Sequence, residues 1–307
     1  IRRAQLLQAI AAACGVSGQP PGLPVSDGRP HQDQLGYPAR ILVAEDNPVN
    51  LEVVLIMLET LGCRSTVAGN GLEVLDSLEK GEYDLILMDC QMPEMDGFEA
   101  TRRIREQERK SGQGRIPIIA VTANALEGDR EACLACGMDD FIAKPFKREV
   151  LLKAIKQWLP SDRQGLKADQ PSATEASTRP MTQTLGNMQV IDPAALQAVS
   201  HLESATNPGF LAKFIHLYME NATQLLDAIQ TAKAAGDRET LIRSVHSLKS
   251  TSASVGAVAF SARCREIENA YRKGEENEQT QAWLLGLRDE FARVETALAQ
   301  ILEDQGR

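Results

Sequence analysis

Through the middle of the chain two rhythms of apolar residues alternate. Short β-type runs, "RILVAE" (40–45), "CRSTVA" (63–68), "DLILMD" (84–89), "IPIIAVTA" (116–123) and "DFIA" (140–143), are separated by segments of helical spacing that start near Pro48, Gly71, Gly97, Leu126 and Phe146. Five strands alternating with five helices predict a doubly wound, five-stranded parallel sheet. In such sheets, ligands bind beyond the carboxyl ends of the strands. Past residue 190 the strand rhythm stops. Helical patterns at 192–199, 208–235 (with a break near Asn221), 237–253, 257–273 and 278–303, joined by tight connections such as "GD" at 236–237 and "VG" at 255–256, predict an antiparallel helical bundle. The expected fold class is α/β plus all-α.

Two stretches rich in Pro, Gly, Ser, Thr and Gln carry no apolar rhythm and read as linkers, 15–38 and 160–189. They leave one domain at 39–159 and a second at 190–305. The segment "IRRAQLLQAI" (1–10) aligns without gaps on "FKREVLLKAI" (146–155), so residues 1–14 read as the last helix of an upstream copy of the central fold.

Bulk properties narrow the function. A length of 307 residues suits two modules, and 43% hydrophobic content with only 4% aromatic residues suits Ala- and Leu-rich helical packing. A net charge of -9 without a basic cluster argues against nucleic-acid binding. No apolar run is long enough to span a bilayer and no signal-peptide pattern is present, so a cytoplasmic location without direct membrane contact is expected. Because the chain begins at Ile1 rather than Met, it reads as a fragment, which leaves room upstream for an anchor of the parent protein in the inner membrane. Six cysteines are scattered, and the CxxC at Cys133 and Cys136 has no second pair and no neighbouring histidine, so these read as packing residues in a reducing compartment.

The chemistry gathers at successive strand ends. Strand one ends in Glu45-Asp46 and strand three in Asp89; on neighbouring strands, these carboxylates converge. Like charges so close cannot all ionise unaided, and a hard divalent cation, Mg²⁺, removes the conflict while leaving room for phosphoryl oxygens. Strand four ends at Thr122, a hydroxyl, and strand five is followed by Lys144-Pro145, an ammonium. A carboxylate nucleophile, a cation, a hydroxyl and a lysine around one point suit in-line phosphoryl transfer, with Asp89 as acceptor. A dehalogenase-like phosphatase would need a second acid two residues after the nucleophile, where this chain has Gln91.

In the bundle, "ETLIRSVHSLKSTSASVGA" (239–257) carries His246. Leu241, Ile242, Val245 and Leu248 define an apolar arc, and His246 lies ~110° from its centre, which predicts an imidazole facing water. Lys249, three residues on, can neutralise a phosphoryl group on the ring, and Ser247, Ser250, Ser252 and Ala253 leave space for a docking partner. His201 and His216 read as surface residues.

The motifs "LVAEDNPVN", "DLILMDCQMPEMDGFEATRRIR", "IIAVTA" and "FIAKPF", in order over about 120 residues, resemble a response-regulator receiver domain. The resemblance implies that Asp89 is phosphorylated and that Mg²⁺ is held by Glu45, Asp46, Asp89 and the Gln91 carbonyl. It also implies that Thr122 and Lys144 contact the phosphoryl group, that Lys144-Pro145 is cis, and that Phe141 occupies the switch-aromatic position. "HSLKSTSASVGA" resembles the histidine phosphotransfer motif, with Ser250 in place of its usual glycine. Together they resemble the C-terminal part of a hybrid sensor histidine kinase, implying a multistep phosphorelay. Asp89 would accept a phosphoryl group from an upstream kinase core of the same polypeptide, and His246 would pass it to a downstream response regulator. A glycine-rich ATP loop is absent from the sequence, so only phosphotransfer is expected of this chain. The alternative is an interaction module that restrains a partner under phosphorylation control.

Overall fold

The computed structural model describes residues 38–112, 114–122, 127–159, 190–203 and 207–305. The repeat at 1–14 and the linkers at 15–37 and 160–189 lie outside these residues. The first domain runs β1 (Arg40–Ala44), α1 (Pro48–Thr60), β2 (Arg64–Ala68), α2 (Gly71–Lys80), β3 (Leu85–Asp89), α3 (Gly97–Ser111), β4 (Ile118–Thr122), α4 (Glu127–Cys136), β5 (Asp140–Ala143) and α5 (Arg148–Trp158). All strand pairs are parallel and the order is β2-β1-β3-β4-β5. β3 and β4 are central and buried at every position, which is why their sequences are continuous apolar runs; β2, at the edge, is exposed except at Ala68.

Local signals set the helix starts. Asn47 accepts from the backbone N–H groups of Val49 (2.9 Å) and Asn50 (3.4 Å), with Pro48 as first helical residue of α1. Asp96 caps α3 by accepting from Glu99 N at 2.7 Å. Gly97 is required sterically, because a Cβ there would meet the Asp89 carbonyl oxygen at 2.1 Å. That close approach presses the start of α3 against the end of β3.

The second domain comprises α6 (Pro193–Ser200), α7 (Phe210–Ala235), α8 (Arg238–Ser254), α9 (Val258–Lys273) and α10 (Glu278–Gln305). α8 packs between α7 and α9, and α10 lies against both of those helices. The break expected near Asn221 does not occur: α7 is continuous. A mid-helix asparagine costs only about 0.5 kcal/mol, less than the burial of Phe214, Ile215, Tyr218 and Leu226 along the same helix contributes. Gly236 ends α7 at φ 69° and Gly256 turns the chain at φ 81° between α8 and α9.

The two domains are packed together. α1 lies against α7 and α8, and one apolar cluster runs from a face of the sheet through α1 and α5 into the bundle. The opposite face of the sheet has a separate core built from Leu42, Ile86, Met88, Ile104 and Ile118.

Candidate functional site

The strand order brings the three predicted acids to one sheet edge. Carboxylate oxygens of Glu45, Asp46 and Asp89 all lie within 4.8 Å of one another. Lys144 reaches in from the end of β5 and donates from Nζ to Glu45 Oε2 (2.5 Å) and Asp89 Oδ2 (2.7 Å). Asp89 Oδ1 accepts from the Gln91 backbone N–H at 3.1 Å. Lys144-Pro145 is cis, as the resemblance implied. Thr122 is buried at the end of β4, and its carbonyl accepts from Lys144 N at 2.7 Å.

Charge in this cluster is out of balance. Burial, reinforced by the Asp89 charge, pushes Glu45 up to about 8 despite Lys144. The same two causes push Asp46 up to about 6. Burial alone would lower Lys144, but Asp89 and Glu45 override it and hold the ammonium well above its ordinary value. Three carboxylates against one lysine fit a site for an added hard cation.

His246 does not face water; the residue is only 8% exposed. Leu241, Val245 and Leu248 of α8 face the bundle core as the periodicity predicts, but α9 and the first domain cover the face that the periodicity leaves open. His246 Nδ1 lies 2.7 Å from Glu268 Oε1 on α9, whose other oxygen, Oε2, accepts from Lys249 Nζ at 2.7 Å. Arg272, one turn further along α9, donates from Nε to Glu268 Oε1 at 3.0 Å. Burial of Glu268 works toward a raised value, yet His246 and Lys249 overcome it and hold the carboxyl at about 2. Lys249 Nζ also lies 3.2 Å from Nδ1, but an ionised Glu268 only accepts, so the shorter Glu268 contact favours the tautomer with the proton on Nδ1 and the lone pair on Nε2. Burial, followed by the Lys249 charge, lowers His246 from its ordinary value against the pull of Glu268, which favours the neutral ring.

The two clusters face each other. Asp89 is near enough to act electrostatically on His246, and Arg243 of the bundle acts on Asp46. Asn47 Nδ2 donates to Asn221 Oδ1 (3.1 Å), and Asn50 Nδ2 donates both to Glu45 Oε1 (3.0 Å) and to Ser250 Oγ (3.2 Å). Arg272 Nη2 donates to Gln91 Oε1 at 2.8 Å. Ser250 thus takes part in docking as the sequence suggested, whereas Ser252 does not: it is fully buried and bonded to Tyr218 Oη at 3.0 Å. His201 and His216 are exposed. Cys133 packs against Cys90 (Sγ to Sγ 3.6 Å) and Cys136 Sγ donates to the Cys133 carbonyl, in keeping with packing roles. Phe141 lies under Arg130, 5.6 Å from its guanidinium carbon.

Sequence reasoning missed Asn47, Asn50, Asn221, Glu268 and Arg272. Asn47 announced only a helix cap; Glu268 and Arg272 stand four apart on one helix face, a spacing that an ordinary surface ion pair also uses.

Residues 41–156 match the response regulator receiver domain family, and residues 213–301 match the Hpt domain family. The sensor histidine kinase GacS of Pseudomonas protegens is 31% identical over 235 residues, 76% of this chain and 24% of that protein. The signal transduction histidine-protein kinase BarA of Shigella flexneri is 27% identical over 274 residues, 89% of this chain and 28% of its own length. A solved structure of the receiver domain of sensor histidine kinase PA1611 from Pseudomonas aeruginosa, with a magnesium ion in its active-site cleft, is 51% identical. It covers 40% of this chain and 98% of that one, with a TM-score of 0.37. The chain spans about a quarter of the length of these two kinases. It carries a receiver domain followed by an Hpt domain, and over that region it is related to hybrid sensor histidine kinases.

Proposed function

We propose that this receiver–Hpt chain passes phosphoryl groups between Asp89 and His246 as consecutive stations of a multistep phosphorelay. The observation that carries the reading is the apposition of the two clusters, with Asn50 bonded both to Glu45 in one domain and to Ser250 in the other. Glu45, Asp46, Asp89 and the Gln91 carbonyl would hold Mg²⁺, which when bound neutralises phosphoryl oxygens. Lys144 and Thr122 would hold the remaining phosphoryl oxygens.

In the transfer step the Nε2 lone pair of His246 attacks phosphorus in line. The bond from phosphorus to the Asp89 oxygen breaks, and the carboxylate leaves with the electron pair. The proton on Nδ1 stays in place, and Glu268, 2.7 Å away, offsets the positive charge that develops on the ring. Lys249, bonded to Glu268 at 2.7 Å, is at hand to neutralise the phosphoryl group on the product side. The donor to Asp89 would be the phosphohistidine of a kinase core upstream in the same polypeptide. The acceptor from His246 would be a separate response regulator, and the setting would be cytoplasmic. Among the described residues no helix is long and apolar enough to cross a membrane, consistent with that setting.

Charging the chain with a small acyl-phosphate donor and Mg²⁺ tests this. A base-labile phosphate at Asp89, followed by an acid-labile, base-stable phosphate at His246 that disappears in Asp89→Asn and in His246→Gln, is the expected result. Phosphate confined to Asp89 would leave an interaction module under phosphorylation control.

A further inference from the structure

We infer that Arg272 couples recognition of a docked receiver to the phosphate-accepting histidine, because, alongside the asparagine contacts described above, one guanidinium joins the receiver's Gln91 side chain to the carboxylate that orients His246. The inference rests on the relay reading above and names the partner chemistry of the same site. Arg272 Nη2 donates to Gln91 Oε1 at 2.8 Å, and the same group lies 2.9 Å from Glu268 Oε1, the oxygen that accepts from His246 Nδ1. Nε adds a second bond to that oxygen at 3.0 Å.

Arginine only donates, so the Gln91 amide must present its oxygen, and the contact has one polarity. The rigid fork lets a single side chain hold two acceptors at a fixed separation, which a lysine point charge cannot do. Glu268 is 3% exposed, whereas Arg272 is 43% exposed and reaches the domain boundary. Arg272 is therefore the member of the histidine cluster that links Glu268 directly to Gln91 of the receiver. Gln91 stands two residues after the phosphoacceptor. The partner that fits is a receiver with a neutral or acidic acceptor at that place. A basic side chain there would meet Arg272 head-on and pull it off Glu268. Arg272 thus acts as a positioning residue for His246 and as a filter on which receivers exchange phosphate with it.

A double-mutant cycle on the full chain tests this. Asp89 is charged with acetyl phosphate and Mg²⁺, and the base-labile and base-stable phosphates are followed separately by rapid quench. Gln91→Glu is expected to speed arrival at His246 about threefold at low ionic strength, and Gln91→Arg to slow it about tenfold, the range of one charge-assisted hydrogen bond. In an Arg272→Gln background both effects should shrink below about twofold, and Arg272→Lys should recover part of the response. Effects of unchanged size in the Arg272→Gln background would overturn the inference and leave the relay standing. If the unaltered chain charges Asp89 but never His246, the relay reading falls, and the inference with it. If Arg272→Gln fails to fold, the Gln91 variants decide alone: a ratio of their rates that is the same at about 50 mM and 500 mM salt would overturn the proposal, and one that contracts with salt supports it.

Discussion

The two proposed phosphate stations solve opposite electrostatic problems. At the receiver, three carboxylates share one ammonium, and burial drives Glu45 and Asp46 toward their protonated forms. At the bundle, one carboxylate is surrounded by Lys249, Arg272 and His246, and it stays ionised although it is buried. The first cluster carries more acid than base and fits an added hard cation, whereas the second balances its carboxylate with side chains alone. In the proposed relay the need for metal would fall at one station and leave the other free of it.

The largest expected effect breaks the comparison at the receiver. Removing Mg²⁺ with a chelator should lower the rate of acylphosphate formation at Asp89 by at least about a hundredfold, since positioning and charge neutralisation supply most of this catalysis. Direct chemical phosphorylation of His246 by phosphoramidate should proceed at the same rate with or without the chelator. Equal sensitivity at both residues would erase the distinction.

Next in size is the bundle. Glu268→Gln leaves buried Lys249 without its carboxylate, a loss of roughly 3–5 kcal/mol in stability, and slows transfer to His246. The dependence on pH follows from sign. The Glu268 carboxyl is held at about 2, below its ordinary 4.5, so its contribution is fully present above pH 4.5 and is lost as pH falls toward 2. Urea unfolding of the two chains, compared below the range in which His246 titrates, should therefore show a stability gap that narrows as pH falls from 4.5 toward 2. A gap that stays constant through that range would contradict the assignment.

The smallest effect sharpens the contact between the stations. Asn50→Ala removes bonds to Glu45 and to Ser250, and Asn221→Ala removes the bond to Asn47. Each should slow transfer between Asp89 and His246 by roughly three- to tenfold, since each removes one hydrogen bond across the domain boundary, with little change in charging of Asp89 when Asn221 is the residue altered. Rapid-quench traces of the two phosphate classes distinguish the steps.

The receiver site was legible because each of its parts stands at a strand end. Once "DLILMD" and "RILVAE" read as neighbouring parallel strands, Asp89, Glu45 and Asp46 had to converge, and the register of β1 and β3 places them so. The helix starts expected near Pro48 and Gly97 are where the structure has them, capped by Asn47 and Asp96. The surroundings of His246 were not legible in the same way. Periodicity along α8 describes one helix against its own core, and it assigned the imidazole to solvent. Whether another helix or domain lies over that open face is a long-range fact, carried here by Glu268 at a separation of 22 residues and by Gln91 contacting Arg272 at a separation of 181. The break expected at Asn221 failed for the same reason, since the amide that looked like a helix flaw is bonded to Asn47 across the domain boundary.

Asn47 divides one amide between two tasks: its oxygen starts α1 by accepting from Val49 and Asn50, and its nitrogen holds the bundle through Asn221. Because the two ends act separately, the bundle can let go without unravelling the helix it was resting on. In the proposed relay, in which the bundle would leave to meet another receiver, this side chain would keep the landing pad in shape while it is empty.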